Sequence, residues 1–216
     1  MRFLAIIIAI VGMSATSAAV AEDYEFEEGT HYAALEIPIK LRNPGKIEVA
    51  EYFSYGCPHC YQFEPLIGPW HDGLPADVEF SRTPAVWNRD YQVYAQTYLT
   101  LESLGVLEQV HVPIFNAIHN ERKRLNTPAE MAKFLVGYGV DPEDFAKTYN
   151  SFGIRAALQQ ADSKGRAYRS SGVPALVING RYRIEGSMAG SNANMLRVAD
   201  FLIEKERRRL AAAAGN

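Results

Sequence analysis

Cysteine is scarce in this chain of 216 residues, which contains only two. Two cysteines can close at most one disulfide, so the protein is not a small scaffold held together by several bridges. They also supply too few ligands for a structural zinc site, which usually needs two such pairs or one pair with two suitably spaced histidines.

An excess of positive charge is also absent, since 22 Lys and Arg residues face 25 Asp and Glu residues, for a net charge of −3. Without a basic field, nucleic acid is not an expected partner. Hydrophobic residues make up 48% of the chain, which is enough for a sizeable core and excludes a disordered protein. The length fits one domain, or one domain with an insertion.

Long apolar runs are confined to the N-terminus. Met1 and Arg2 precede an apolar run over Phe3–Val11, and small residues continue to Ala21. This order predicts a signal peptide over residues 1–21, cleaved after Ala21. The apolar run is about half as long as a membrane-spanning helix requires, which disfavours an uncleaved anchor. The protein is therefore expected to work outside the cytoplasm, where a disulfide can persist.

Local patterns predict an α/β protein with a helical insertion. Thr127 and Asp141 each precede a proline and are predicted to begin helices, and Asn179-Gly180 between two apolar runs is typical of a β-hairpin turn. The predicted strands are Leu35–Leu41 at an edge, Lys46–Ser54, Asp77–Ser81 and the two arms of a hairpin over 173–184; the predicted helices are Pro58–His71, a long helical stretch over 87–169, and a last helix ending at about Leu210.

Reactive chemistry is concentrated at Cys57 and Cys60, which flank Pro58 and His59. At the start of a helix, residues three apart lie close enough to form a disulfide. Unpaired N–H groups and the positive end of the helix favour the thiolate of Cys57, whereas Cys60 lies one turn further in and should be more buried. We therefore expect Cys57 to be the nucleophile and leaving group, and Cys60 to be the resolving thiol.

Other uses of this cysteine pair have less support. The chain offers no second pair for zinc, and His111 and His119 lie eight residues apart. A c-type haem requires histidine directly after the second cysteine, where this chain has Tyr61. An inert structural disulfide would close too short a loop to restrain the unfolded chain much. A protein that delivers Cu(I) remains an alternative because thiolates suit that ion, although no Met or His cluster flanks the pair. No resident metal or cofactor is expected.

The segment Glu51–Glu64 (EYFSYGCPHCYQFE), the helical stretch after it and the hairpin at Val173-Pro174 together resemble the DsbA family of periplasmic thiol-disulfide oxidases. The resemblance covers residues 24–209. It implies a thioredoxin-like fold, in which a mixed central sheet is flanked by helices. That domain would comprise residues 22–84 and 160–216, and an all-helical subdomain would be inserted over residues 85–159.

The resemblance also implies an activity and its partners. The protein would donate its disulfide to reduced, newly exported polypeptides through a mixed disulfide, and a DsbB-like membrane quinone reductase would reoxidise it. The short lead before Cys57 leaves no room for the N-terminal dimerisation domain of the related isomerases, so a monomer is expected. A thioredoxin-like reductase or isomerase, which runs the same chemistry in the other direction, remains an alternative.

Two side chains are expected to tune the thiols. His59, between the two sulfurs, should add to the field that stabilises the Cys57 thiolate and so make the disulfide more oxidising. Glu51 alternates in register with the apolar residues of its strand and is expected to point inward, behind the helix that begins at Pro58. A buried carboxyl there could exchange a proton with Cys60, and the resemblance implies the same role for an acidic residue at this offset.

Four further residues are expected at the substrate side of the site. The resemblance implies that Pro174 is a cis-proline facing the disulfide and that Val173 offers backbone groups to an incoming peptide. Trp87, at the start of the insertion, is predicted to form a wall of the substrate groove, and Glu64 is predicted to lie at the rim. Aromatic residues after Trp87 at helical spacing (Tyr91, Tyr94 and Tyr98) are predicted to be mostly core.

Overall fold

The computed structural model describes residues 26–214, and the predicted signal peptide over residues 1–21 lies outside them. Five strands are formed: β1 (Ala33–Ala34), β2 (Ile47–Phe53), β3 (Val78–Pro84), β4 (Ala175–Ile178) and β5 (Tyr182–Glu185). Eight α-helices are described: α1 (Pro58–Asp72), α2 (Arg89–Ser103), α3 (Leu107–His119), α4 (Pro128–Leu135), α5 (Pro142–Tyr149), α6 (Phe152–Ala167), α7 (Gly186–Ala189) and α8 (Asn192–Ala214). Over residues 26–214, none of the helices is both long and apolar enough to cross a membrane.

The strands form one mixed sheet in the order β1-β5-β4-β2-β3. Strands β2 and β3 are parallel, and the other neighbours are antiparallel. All seven residues of β2 are buried, because helices cover both faces of the sheet. Ile47 and Val49 pack with α1 and α8, whereas Ala50 and Tyr52 face the other side, which α6 covers. This arrangement confirms the predicted fold class.

The hairpin at Asn179-Gly180 forms as predicted. Asn179 has φ 50° and Gly180 has φ 61°, which is the pair of positive values that a type I′ turn requires. Glycine is also needed for space, because a Cβ at position 180 would lie 2.5 Å from the carbonyl oxygen of Ile39.

The predicted edge strand over Leu35–Leu41 is wrong. From this part of the chain, only Ala33 and Ala34 pair with β5, and the pairing ends because Ala34 already lies opposite Tyr182, the first residue of that strand. Single hydrogen bonds beyond this point hold the segment on the hairpin turn, from Ile39 N–H to the Gly180 carbonyl for example. Pro38 has no N–H with which to extend a ladder.

The helical region lies between β3 and β4, and its predicted helix starts are confirmed. The Thr127 hydroxyl accepts a hydrogen bond from Glu130 N–H at 3.2 Å, and the Asp141 carboxylate accepts two from the first turn of α5. The boundary predicted between residues 159 and 160 falls inside α6, which is continuous over 152–167 and packs on both α2 and β3.

The cysteines lie in the core where the helical region meets the sheet. One cluster of buried side chains joins Cys57 and Cys60 to Phe53 at the end of β2 and to Phe115 on α3. Tyr94 and Tyr98 of α2 belong to the same cluster, which confirms that they are core residues. Helix α1, which begins next to Cys57, is therefore held by apolar contacts to both the sheet and the helical region.

Candidate active site

The turn that carries Cys57 is set by local hydrogen bonds. Cys57 N–H donates to the Ser54 carbonyl at 3.0 Å, Cys57 has an extended backbone, and Pro58 is the first residue of α1. A proline at this position loses no helix hydrogen bond. Gly56 is needed because a Cβ there would lie 2.9 Å from the Tyr94 ring. The sequence Ser-Tyr-Gly-Cys-Pro thus places the Cys57 sulfur at the helix start.

The two free thiols have different environments. Cys57 is 5% exposed and Cys60 is fully buried, as the sequence predicts. A hydrogen bond from the Cys60 side chain, followed by backbone N–H groups of Cys60 and His59 and by the charge of His59, lowers the pKa of Cys57 to about 6. Burial, and then the hydrogen bond and charge of Cys57, raise the pKa of Cys60 well above its usual value. Of the two thiols, only Cys57 is therefore ionised at neutral pH.

The side chains of Pro58 and His59 are exposed on the first turn of α1. His59 borders a cavity of about 360 Å³ whose lining also includes Val173 and Pro174. The peptide bond between Val173 and Pro174 is cis, as the resemblance implies, and the Cys57 sulfur lies 3.2 Å from the Val173 carbonyl oxygen, to which the protonated thiol can donate. The loop that leads into β4 thus faces the Cys57 sulfur.

Glu185, which the sequence analysis missed, fixes this loop. Its carboxylate accepts hydrogen bonds from Ser170 Oγ at 2.7 Å, from Ser171 N–H at 2.8 Å and from Ser171 Oγ at 3.1 Å. Burial would raise the pKa of Glu185, but these hydrogen bonds and the charge of Arg183 outweigh it, so the pKa is lowered. A buried, ionised side chain therefore holds the residues that lead into Val173.

Glu51 points inward beneath α1, as its strand register predicts, and is fully buried. Its Oε2 accepts a hydrogen bond from Arg82 Nε at 2.8 Å, whereas its Oε1 is buried with no hydrogen-bond partner among residues 26–214. Burial raises the pKa of Glu51 to about 7 against the opposing charge of Arg82. The charge of Glu51 contributes to the raised pKa of Cys60, so the two groups interact.

Glu64 does not lie at the rim, and this prediction is wrong. It is buried because it follows Cys60 by four residues and shares its inward face of α1. Its Oε1 lies 3.1 Å from His111 Nε2, and its Oε2 lies 3.6 Å from Arg82 Nη2. Burial would raise the pKa of Glu64, but the hydrogen bond to His111 and the neighbouring positive charge lower it below its usual value.

Two partners of these carboxyls, Arg82 on β3 and His111 on α3, were not predicted from the sequence, and neither was Tyr55, whose hydroxyl lies 2.8 Å from His111 Nδ1. We call Glu51, Arg82, Glu64, His111 and Tyr55 the buried acid network. His111 precedes Phe115 by four residues on the buried face of α3, which is a signal that could have placed it in the core.

Trp87 is 49% exposed and lies near the loop that carries Gly56 and Cys57. Its ring stacks on Tyr91 at 5.9 Å and meets Tyr52 edge to face at 5.6 Å. Tyr91 in turn lies close to Gly56. This position is compatible with a wall of the substrate groove, and contact with substrate stays a prediction.

Comparison with known proteins places this geometry in a family. The family model of a DSBA-like thioredoxin domain matches residues 73–200. Because this match begins after the cysteines, the alignment of the motif itself depends on relatives that match nearly the whole chain. Thiol:disulfide interchange protein DsbA of Pseudomonas aeruginosa is 48% identical over 202 residues, which is 94% of this chain and 96% of that protein. The same-named protein of Azotobacter vinelandii is 49% identical over 179 residues, which is 83% and 84% of the two chains.

Solved structures agree with these relatives. The crystal structure of Pseudomonas aeruginosa DsbA covers 88% of this chain and 97% of its own, with 50% identity and a TM-score of 0.83. The oxidoreductase DsbA from Xylella fastidiosa covers 82% and 96%, with 33% identity and a TM-score of 0.77. The chain therefore belongs to the DsbA family and is a protein thiol-disulfide oxidoreductase with a thioredoxin-like fold.

Proposed function

We propose that this oxidoreductase works in the periplasm as an oxidase, donating the Cys57–Cys60 disulfide to reduced, newly exported polypeptides. The observation that carries the proposal is the difference between the two thiols, since the pKa of Cys57 is lowered to about 6 and that of Cys60 is raised. A thiolate that is stable at neutral pH stabilises the reduced enzyme, and the disulfide is correspondingly more oxidising.

The first step is attack by a substrate thiolate on the sulfur of Cys57. A mixed disulfide forms, the Cys57–Cys60 bond breaks, and Cys60 leaves with the electron pair. Because the pKa of Cys60 is high, its sulfur takes up a proton. Glu51 supplies this proton in the proposed cycle, since its pKa of about 7 allows it to give and regain a proton near neutral pH.

The second step releases the oxidised substrate. Another thiolate of the substrate attacks the substrate sulfur of the mixed disulfide, a new substrate disulfide forms, and Cys57 leaves as a thiolate. Its low pKa makes it a good leaving group. Two electrons have then passed to the enzyme, which a DsbB-like membrane protein would remove by reoxidising the pair and passing the electrons to quinone.

Substrate binding uses the surface around Cys57. Val173 and Pro174 face the sulfur, so an extended peptide would lie along this loop, with Trp87 as a wall on the side of the helical region. The rest of the proposal follows the family: a signal peptide removed after Ala21, a monomer without a resident cofactor, and an inserted subdomain over residues 85–159.

The experiment that tests this function is a pair of measurements on the purified protein. Thiolate absorbance against pH gives the pKa of Cys57, and equilibration with glutathione gives the redox potential. We expect a pKa near 6 and a potential well above the value of about −270 mV of the reductant thioredoxin. A thiol still protonated at pH 7, or a potential close to that of thioredoxin, would instead favour the reductase or isomerase.

His59→Ser separates the histidine's charge from the backbone N–H at the same position, which serine retains. Because the charge of His59 is the smallest of the causes that lower the pKa of Cys57, we expect a loss of less than tenfold in thiolate stability, equivalent to less than about 30 mV. Stoichiometric copper in anaerobically purified wild-type protein would favour the Cu(I) alternative.

A further inference from the structure

His111 is a buried histidine that the proposed exchange steps do not use. It projects from α3 into the core below the active helix, between the Tyr55 hydroxyl at 2.8 Å from Nδ1 and the Glu64 carboxylate at 3.1 Å from Nε2. Both nitrogens of its ring are therefore occupied by polar partners of the buried acid network.

The chemistry of these partners fixes the protonation of the ring. An ionised carboxylate only accepts hydrogen bonds, so the nitrogen facing Glu64, Nε2, carries a proton. Burial raises the pKa of Tyr55 well above its usual value, so its hydroxyl keeps its proton and can donate it to Nδ1. Burial, together with the charge of Arg82, lowers the pKa of His111. The ring is thus neutral, with its single proton on Nε2.

The two carboxyls of the network are not equivalent. Glu64 has His111 on one oxygen and Arg82 near the other. Glu51 is bound by Arg82 through Oε2, but its Oε1 has no hydrogen-bond partner within the described part of the chain. A proton can lie on the unpartnered Oε1 of Glu51. On Glu64 it would either replace the hydrogen bond that His111 donates to Oε1 or lie on Oε2, where it would face the positive charge of Arg82 at 3.6 Å.

We infer that His111 is a positioning residue for the Cys60 half-reaction. By donating from Nε2 to Glu64, it keeps that carboxylate ionised beside Arg82 and leaves Glu51 as the carboxyl that exchanges a proton with Cys60. The inference rests on the proposed proton exchange between Glu51 and Cys60. It gives the helical region, to which α3 belongs, a part in the chemistry of the thiols.

Titratable groups from every surrounding element bear on this assignment. The ring of Tyr98 lies 6.3 Å from that of His111, and Glu108 precedes it by one turn of α3. Among residues 26–214, these groups include Tyr55 from the loop before α1, Glu64 from α1, Glu51 from β2, Arg82 from β3, Tyr98 from α2 and Glu108 from α3. Only Arg82 among them is a fixed positive charge, and it is shared by Glu51 and Glu64.

The inference is tested by following the side-chain carboxyls of reduced protein by ¹³C NMR against pH, with Glu51→Gln and Glu64→Gln to assign the signals. In wild type we expect Glu51 to titrate near pH 7 and Glu64 to stay ionised into the acidic range. In His111→Leu, we expect the proton affinity of Glu64 to rise at least tenfold. The proton affinity of Glu51 should fall as far as the titration of Glu64 moves up into the same pH range, because a protonated Glu64 no longer raises the pKa of Glu51 through its charge.

Two variants serve as controls. His111→Gln keeps a side-chain N–H within reach of Glu64 and is expected to restore much of the wild-type titration. His119→Gln changes another histidine of the same helix, whose Nε2 lies 2.8 Å from the backbone carbonyl oxygen of Tyr55. This variant should leave the titrations of both carboxyls unchanged. The pH profile of mixed-disulfide exchange should move with Glu51 in His111→Leu alone.

Unchanged carboxyl titrations in folded His111→Leu would overturn the inference, as would a slower rate with an unmoved pH profile, which indicates a structural role only. If His111→Leu does not fold, ¹⁵N NMR of wild type decides, since a ring protonated on Nδ1 or on both nitrogens at pH 7 contradicts the assignment. A Glu51→Gln protein with wild-type exchange rates would refute the proposed role of Glu51 and leave the titration of Glu64 as a separate test of His111.

Discussion

The sulfur of Cys57 lies 3.2 Å from the carbonyl oxygen of Val173, across 116 positions of sequence. A thiol can donate to this carbonyl, but a thiolate cannot. When Cys57 ionises or enters a disulfide, the Val173 carbonyl therefore loses this donor. The hydrogen bond exists only while Cys57 is a protonated thiol.

The lowered pKa of Cys57 predicts how the stability of the reduced protein depends on pH. The thiolate is favoured in the folded state, where the pKa is about 6 against an ordinary value of 9.0. Its contribution is complete above pH 9 and is lost as the pH falls through 6. At pH 7 it amounts to about 1.4 kcal/mol, and at pH 5 it is close to zero.

Urea unfolding of the reduced protein at pH 5 and pH 7 measures this contribution. Cys57→Ser is the matched control, because it retains Glu51, whose raised pKa has the opposite pH dependence, and lacks the thiolate. The difference between the two proteins should grow by about 1.4 kcal/mol from pH 5 to pH 7. A constant difference would show that the Cys57 thiolate is not favoured by folding.

Glu51→Gln is expected to slow the step in which Cys60 leaves or attacks. The variant keeps the size of the side chain and the hydrogen bond from Arg82 to an oxygen, but it removes the proton that titrates at about pH 7. Loss of a general acid typically costs on the order of 10²-fold or more. Stopped-flow exchange with a dithiol peptide, measured from pH 5 to pH 8, should show a lower rate and no inflection near pH 7.

Glu48→Gln is the appropriate control for this prediction. Glu48 lies on the same strand and is also buried, but it pairs with Lys164 at 3.1 Å on the opposite face of the sheet. Its rate profile should match that of wild type. An equal loss in both variants would mean that disturbance of β2, and not the missing acid, slows the exchange.

Glu185→Ala is expected to loosen the loop that faces Cys57. Ser170 and Ser171 would lose the carboxylate that accepts their hydrogen bonds, and removing such a charged partner costs about 1.5–3 kcal/mol. We expect a lower melting temperature and a slower exchange with peptide, while the pKa of Cys57 changes little, because Glu185 is not among the groups that set it.

Glu185→Gln retains one acceptor oxygen and should fall between wild type and alanine. Exchange rates with a peptide and with a small thiol distinguish the role of the loop, since only the peptide extends along Val173. If both substrates slowed equally, the loop would be acting on the sulfur itself and not on peptide binding.

Local chemistry explains which parts of the structure were predictable. Asn179-Gly180 and the cysteine motif act through their immediate neighbours, so their turn and helix start are visible in sequence. Glu51 was placed by strand alternation alone. The pairing of Arg82 and His111 with Glu51 and Glu64 could not be predicted, because these partners come from other elements of the fold. Glu64 was misplaced although it lies four residues after Cys60 on the same face of α1; its partners, His111 and Arg82, belong to α3 and β3.

The prediction of an edge strand over Leu35–Leu41 was wrong for a related reason. The alternation over Leu35–Leu41 is genuine, but a segment pairs as a strand only where a neighbouring strand runs beside it, and β5 ends opposite Ala34. Ile37, which alternation would have buried, is 78% exposed. Periodicity thus reports the preference of a segment, and the length of its neighbour decides whether it pairs.

Trp87→Ala tests whether the aromatic surface beside the active site binds substrate. Trp87 is half exposed and is held against Tyr91 and Tyr52, so its indole is pre-positioned and offers a large apolar area to a client. Aromatic anchors of this kind commonly contribute more than 1 kcal/mol to binding. We therefore expect KM for an unfolded, reduced protein to rise at least about fivefold, with kcat and the redox potential unchanged. Phe152→Ala is the matched control, since Phe152 is 79% exposed at the start of α6 and is not part of the proposed groove. An equal rise in KM for both variants would indicate general surface hydrophobicity, and an unchanged KM for Trp87→Ala would remove Trp87 from the substrate groove.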